Sequence, residues 1–335
     1  MENNFKNKNI LITGGLGFLG SSLSHTLIGY GANITIIDNL NPLYGGNIFN
    51  IKEVSDRITI IINDVRNMEI MMPLVEMADI IFHLAAQVSY IDSLQIPYED
   101  LDLNAKATLN ILESCRKLNP KAKIIFSSSR MVYGKVDKLL VTENCSTNPL
   151  SLYGIHKLTS EKYLLMYNKD FGIPITILRL TNPYGPRQQI KHSKYSLVGW
   201  FIRQAIEGKV IKIFGDGSQL RDYIFVDDIV NAMIRCAEVP NAVGEVINVG
   251  SGSSTRFCDM VSAVINCVKN GKMEFIPWPD NYEKIETGDI SVDISKLKAI
   301  TSWQPNITLE EGINKTYEYY NKHYLNYISY ILPNV

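Results

Sequence analysis

The stretch "ITGGLGFLG" (12–20) limits what this chain can fold into more than any other. It follows the β-branched run "NILIT" (9–13) and opens a helical pattern over 18–30. Glycines at 14, 17 and 20 permit a tight turn, close approach of backbone N–H groups to a pyrophosphate, and close helix–strand packing. The positive end of the helix then faces the phosphates. A glycine pattern alone is weak, but here a strand precedes it and a helix follows it. The pattern predicts a dinucleotide-binding βα unit built around Gly14, Gly17 and Gly20.

The same rhythm continues. "NITIID" (33–38), "ITIIIND" (58–64), "DIIFHLA" (79–85), "AKIIFSS" (122–128) and "PITILRL" (174–180) read as strands, with helices near 100–118 and 153–171. Continuous apolar strands alternating with helices predict a parallel sheet covered on both faces, a Rossmann-type doubly wound α/β fold. After Leu180 the rhythm changes. "TNPYGPRQQ" leads to a helix at 196–208, a "GDGSQ" turn and the strand "DYIFV", and "VINVG" (246–250) reads as one more sheet strand. Residues 257–300 are mixed, and a helix near 309–324 closes the chain. The expected division is a cofactor domain of 1–181 and 223–256, with a smaller discontinuous α/β substrate domain of 182–222 and 257–335.

Asp38 ends the second strand about 20 residues after the glycine turn, where an acid accepts both ribose hydroxyls of an adenosine and repels a 2′-phosphate. "NLNPLYGG" after it offers no cation, so the cofactor expected is NAD rather than NADP. Asp64 is a candidate for the adenine amino group, with Val65 donating from its backbone. Ser127, Ser128 and Ser129 end a strand at the sheet edge where ligands bind in such folds. Just beyond, "YGIHK" places Tyr153 and Lys157 one helical turn apart on one face. A cation beside a phenol lowers the phenol's pKa, so Tyr153 is a candidate proton shuttle.

Net charge is −1 with 20% charged residues, which argues against a general nucleic-acid or membrane-surface binder. Five scattered cysteines without a Cys-x-x-Cys pair argue against a disulfide scaffold or a metal site. With no signal-peptide core and no spanning stretch, a cytoplasmic protein is expected.

Taken together, TGGLGFLG, Asp38, "HLAAQ" (83–87), "NAKATLNILE" (104–113), "SSSRMVYG", "YGIHK", "RLTNPYGPRQ" (179–188) and "GDGSQLRDYIFVDDI" (215–229) resemble the extended short-chain dehydrogenase/reductase family. The likeness is to its UDP-glucose 4-epimerase-like nucleotide-sugar epimerases and dehydratases. It implies Tyr153 as acid/base at a sugar hydroxyl, Lys157 as the group that lowers its pKa and holds the nicotinamide ribose, and Ser129 on the same sugar oxygen. It further implies Phe18, Leu19, Asn39, Leu84, Ala85 and Ala86 at the cofactor, together with Gln87, Asn104 and Ser127. Asn182, Arg187, Gln219 and Arg221 are implied at the nucleotide-sugar substrate, and a two-fold homodimer through the helices near 100–118 and 153–171.

Family 4,6-dehydratases carry an Asp-Glu pair just before the "VYG" equivalent; here those positions are Arg130 and Met131, which cannot supply that acid and base. The resemblance therefore implies a 4-epimerase of the UDP-hexose class, with a 4-dehydrogenase or 4-ketoreductase on the same residues as the alternative, and a dehydratase or a non-catalytic NAD-binding protein less favoured. Two departures concern the substrate side. Glu286 stands near the position where UDP-glucose 4-epimerases often have a phosphate-gripping Arg, with Lys284 as the substitute, and the segment from Gly288–Asp289 to 293–296 is short, removing the residue that gates sugar size. Arg130, a large cation beside the catalytic serine, is open between a carboxylate-bearing sugar and solvent.

Overall fold

The computed structural model describes residues 4–279 and 286–329; Lys284 lies outside them. Seven parallel strands form the central sheet in the order β3-β2-β1-β4-β5-β6-β11. They are β1 (Asn9–Thr13), β2 (Asn33–Asp38), β3 (Ile58–Ile62), β4 (Ile80–His83), β5 (Lys123–Ser129), β6 (Ile175–Leu180) and β11 (Glu245–Val249). The "VINVG" strand takes the sheet edge beside β6, as its apolar run predicts.

Side chains alternate across the sheet, so both faces are buried. Ile10, Ile12 and Ile125 join the core on one face, while Leu11, Ile124 and Phe126 join the core on the other. Helices α4 (Ala107–Leu118) and α5 (Leu152–Phe171) cover the second face; α1 (Phe18–Gly29) and α7 (Val226–Glu238) cover the first. Ser151 caps α5 by accepting from Gly154 N, and Gly172 ends it in the left-handed region at φ 68°.

Three differences from the sequence expectations have physical causes. The helix expected near 100–118 begins earlier, at Pro97, and a π-turn at Asp102–Lys106 interrupts it before α4. There Asn104 Nδ2 donates to Gln87 O at 2.9 Å and Thr108 Oγ1 donates to Asn104 O at 3.2 Å. A helix, α2 (Met68–Met77), forms despite Pro73 in its interior. Residues expected to be mixed contain α8 (Phe257–Val268), whose Met260, Val261 and Val264 are buried.

Outside the main sheet the strands pair by twos. β7 (Asn182–Tyr184) pairs with β10 (Tyr223–Phe225), β8 (Val210–Phe214) with β13 (Lys272–Ile276), and β9 (Leu220–Arg221) with β12 (Thr255–Arg256). The helix Leu309–Ile328 carries a capping box at Thr308 and Glu311. Its buried Tyr320 and Tyr327 join the same core as β1 and α7.

Candidate active site

A cavity of about 630 Å³ runs along the C-terminal edge of the sheet. Its cofactor end is built by the glycine turn. Gly14 has φ 70°, and a Cβ there would come within 2.9 Å of the Ala85 backbone. A Cβ on Gly20 would lie 2.4 Å from Gly14 O. No side chain caps the first turn of α1 at Gly17, and no acid stands in that turn. The N-terminus of α1 is therefore open toward an anion.

Asp38 is buried at the cavity wall and accepts Leu16 N at 2.9 Å through Oδ2 and Leu40 N at 2.8 Å through Oδ1. Each oxygen keeps a lone pair for a hydroxyl donor. Burial raises its pKa, and the backbone donors pull it back. The turn, the helix end and this acid fit a dinucleotide. Phe18, Leu19, Asn39 and Val65 line the same end, and Leu84, Ala85, Ala86 and Ser127 continue the wall.

Four of the residues expected at the ligands lie outside the cavity lining. Asp64 is gripped by Arg66 Nε at 2.8 Å and Nη2 at 2.7 Å, and accepts from Asn39 Nδ2 at 3.1 Å. Burial opposes ionisation there, but the Arg66 contacts hold the Asp64 carboxyl below its ordinary value. Gln87 turns its amide to the Ser89 backbone, and Asn104 sits behind it in the π-turn. Arg187 has φ 72° and places its guanidinium 5.8 Å from the Tyr319 ring centroid. These contacts assign Gln87 and Asn104 to support of the wall and turn Arg187 away from it.

Ser129, Tyr153 and Lys157 meet on that wall. Lys157 is buried, donates to Ser127 O at 3.0 Å, and stands 4.7 Å from the Phe126 ring centroid. Burial pulls its ammonium down to about 8, with Asp100 and Glu161 opposing. Behind it Glu161 accepts from Arg179 and Ser128, a closed ion pair that fixes this turn of α5. Burial pushes the Tyr153 phenol up to about 12, and the nearby Ser129 hydroxyl is the largest influence in the other direction. The one-turn spacing holds, but the expected depression of the phenol by Lys157 does not appear. Desolvation dominates, and Lys157 is committed to the β5 carbonyl.

The substrate end holds Asn182, Gln219 and Arg221. Arg221 donates through Nη1 to Leu220 O and Gly288 O, both at 2.9 Å, and through Nη2 to Glu286. Sequence reasoning left Arg130 open between sugar and solvent. It is buried in this wall, with Nη1 donating to Thr287 Oγ1 at 2.8 Å and Nε to Asn182 Oδ1 at 3.3 Å. Thr287 and Tyr223 also line the cavity and were missed; Thr287 meets Arg130, 157 positions away, for which no spacing signal exists, whereas Tyr223 lies two residues after Arg221 in the same motif. The far end is aromatic, with Phe214 and Trp278 at a centroid distance of 5.5 Å. Beside the cavity the 193–196 segment is tied to two others: Tyr195 Oη donates to Leu43 O at 2.6 Å, and Lys194 Nζ donates to Asp92 Oδ1 at 2.7 Å.

The fold and cavity define a dinucleotide-binding α/β enzyme with an adjoining second-ligand compartment. Residues 10–250 match the NAD dependent epimerase/dehydratase family, and the chain belongs to that family. It is 34% identical over 312 residues to a putative UDP-glucose 4-epimerase of Methanocaldococcus jannaschii, covering 91% of this chain and 96% of that one. It is 32% identical over 331 residues to a UDP-N-acetyl-alpha-D-glucosaminuronate decarboxylase of Bacillus cytotoxicus, covering 94% and 98%. The crystal structure of UDP-glucose 4-epimerase from Thermotoga maritima with UDP-glucose superposes with a TM-score of 0.87 at 31% identity, covering 94% of this chain and 99% of that one.

Proposed function

We propose that this protein is an NAD-dependent nucleotide-sugar 4-epimerase of the UDP-hexose class. The observation that supports it most is the convergence of Ser129, Tyr153 and Lys157 on the wall shared with the glycine turn and Asp38, while Arg130 and Met131 occupy the positions where dehydratase chemistry needs an acid and a base. Bound NAD supplies a reversible hydride acceptor; the chain's own residues manage the proton and the positions. Tyr153 Oη takes the proton of the sugar 4-hydroxyl and returns it once the ketone has turned its other face. Ser129 Oγ holds that oxygen in line. Lys157 is placed to donate to the nicotinamide ribose. Asp38 takes the adenosine ribose hydroxyls, and Val65 the adenine edge with Asp64 behind it. Ala85 and Ala86 bound the nicotinamide. Asn182, Gln219 and Arg221 take the substrate's nucleoside diphosphate, Arg because its fork matches phosphate oxygens.

In this reading 1–181 with 223–256 serve the cofactor and 182–222 with 257–335 serve the substrate. The reading also includes a cytoplasmic location and a homodimer through the helical stretches near 100–118 and 153–171; the exposed apolar side chains of Leu101, before the π-turn, and of Ile155 and Met166 on α5 support the dimer. No helix among the described residues is long and apolar enough to cross a membrane.

A panel of UDP-hexoses, with and without added NAD, tests the activity. Interconversion without net NADH is expected. Stoichiometric NADH would instead assign a 4-dehydrogenase.

A further inference from the structure

The short helix Pro97–Leu101 packs against α5 and carries Asp100, whose side chain is fully buried. Asp100 Oδ1 accepts from His156 Nδ1 at 2.5 Å, and its Oδ2 is buried with no hydrogen-bond partner among the described residues. His156 stands between Tyr153 and Lys157 in the same turn of α5. Asp100 therefore puts a negative charge behind these two residues of the wall. The other acid there, Glu161, accepts twice from Arg179, whose guanidinium cancels its charge. Asp100 has only an imidazole partner, a group with no fixed charge at neutral pH. Lys157 spends one donor on Ser127 O and makes no ion pair among the described residues.

We propose that Asp100 is a positioning residue that sets the pH range in which Tyr153 and Lys157 work, by keeping the Lys157 ammonium charged inside the wall. The proposal rests on the reading of these two residues as the proton-handling pair and deepens it. Taking an ammonium out of water favours its neutral form, and a nearby carboxylate restores the charged one. Burial pulls Lys157 down, and Asp100 is the strongest charge opposing it, ahead of Glu161. Burial raises the Tyr153 phenol, and Asp100 adds to that while Ser129 and Arg130 work against it. The remaining titratable neighbours carry no charge near neutral pH. Burial holds His83 on β4, which feels Lys157, down at about 3, and pushes Tyr44, which feels Asp100, up to about 12. Burial also raises the Asp100 carboxyl, and the His156 donor is the first influence holding it down.

Asp100→Asn keeps the shape and an acceptor for His156 and removes the charge. NMR titration of the lysine Cε resonances in NAD-loaded, carbon-labelled protein reads the effect, with the Lys157 signal assigned by its loss in Lys157→Met. The Lys157 midpoint should fall by about one pH unit, the lower end for a carboxylate that is near but not paired. A lost negative charge favours the deprotonated forms of Lys157 and Tyr153 alike. Both limbs of the pH profile of UDP-hexose turnover should therefore slide about one pH unit toward acid. A Lys157 midpoint that stays or rises overturns the proposal. So does a profile that loses height without moving, which is what a merely structural role of Asp100 produces. If Asp100→Asn does not fold, Asp100→Leu combined with His156→Leu replaces the pair by apolar side chains and must give the same fall. The NMR titration uses no sugar nucleotide. A protein inert toward UDP-hexoses would end the proposed function, and the Lys157 midpoint would still decide the role of Asp100.

Discussion

Lys157→Met should make the protein more stable and much less active. The stability half follows from burial. Lys157 is 2% exposed, and its ammonium is pulled from the ordinary 10.5 down to about 8. A difference of that size costs the folded state about 3 kcal/mol when the group is charged in both states. Methionine avoids that cost and fills a similar volume, but gives up the hydrogen bond to Ser127 O, worth about 1 kcal/mol. Asp100 and Glu161 keep their His156 and Arg179 partners, so no acid is orphaned. The net gain is about 2 kcal/mol, which for a chain of this length raises Tm by about 3 °C. The sign with pH is fixed as well. Because the folded pKa is depressed, the unfolded chain holds the proton more tightly, and the parent gains stability as pH rises from about 8 toward 10.5. The variant's advantage is therefore full below pH 8 and gone by about 10.5. Scanning calorimetry of both proteins at several pH values reads it directly. A variant less stable than the parent at pH 7, or an advantage that does not shrink with pH, would refute the assignment of Lys157 as a charge kept against the fold's preference.

Tyr153→Phe removes only the hydroxyl and should lower turnover by about 10²–10⁴-fold with NAD affinity kept; a folded variant turning over at the parent rate would end the catalytic reading. Calorimetry should show strong preference for NAD over NADP, and Asp38→Ala should erode it; equal affinities in the parent would remove Asp38 from the ribose. Light scattering at micromolar concentration should give twice the 37.8 kDa chain mass, and a monomer would contradict the α4/α5 pairing.

The sheet was legible because its strands carry Ile, Leu, Val and Phe at successive rather than alternate positions, the pattern of a parallel sheet covered on both faces. The glycine turn was legible because the strand and the helix that give it meaning lie directly before and after it along the chain. What stayed hidden depends on distant partners. Arg130 touches Thr287, 157 positions away, and Arg221 touches Glu286, 65 away; no spacing encodes either. Met68–Met77 was hidden for another reason, since Pro73 reads as a breaker where packing of Met71 and Val75 overrides it. The Tyr153–Lys157 spacing correctly placed two side chains on one face. It could not report that desolvation, rather than their mutual charge, governs both.

The hydrogen bond from Tyr195 to the Leu43 carbonyl has a kinetic consequence. It ties the loop after β2, beside the cofactor end, to the segment leading into α6 (Leu197–Ile206). Asn41, Tyr44 and Gly46 on one side and Ser193 and Lys194 on the other all line the cavity. Lys194 ties the same segment to Asp92, beyond β4. In the proposed epimerase the coenzyme is restored in place, so contacts that fasten these segments beside it cost the cycle nothing, whereas an enzyme that exchanged its coenzyme would meet them at every turnover.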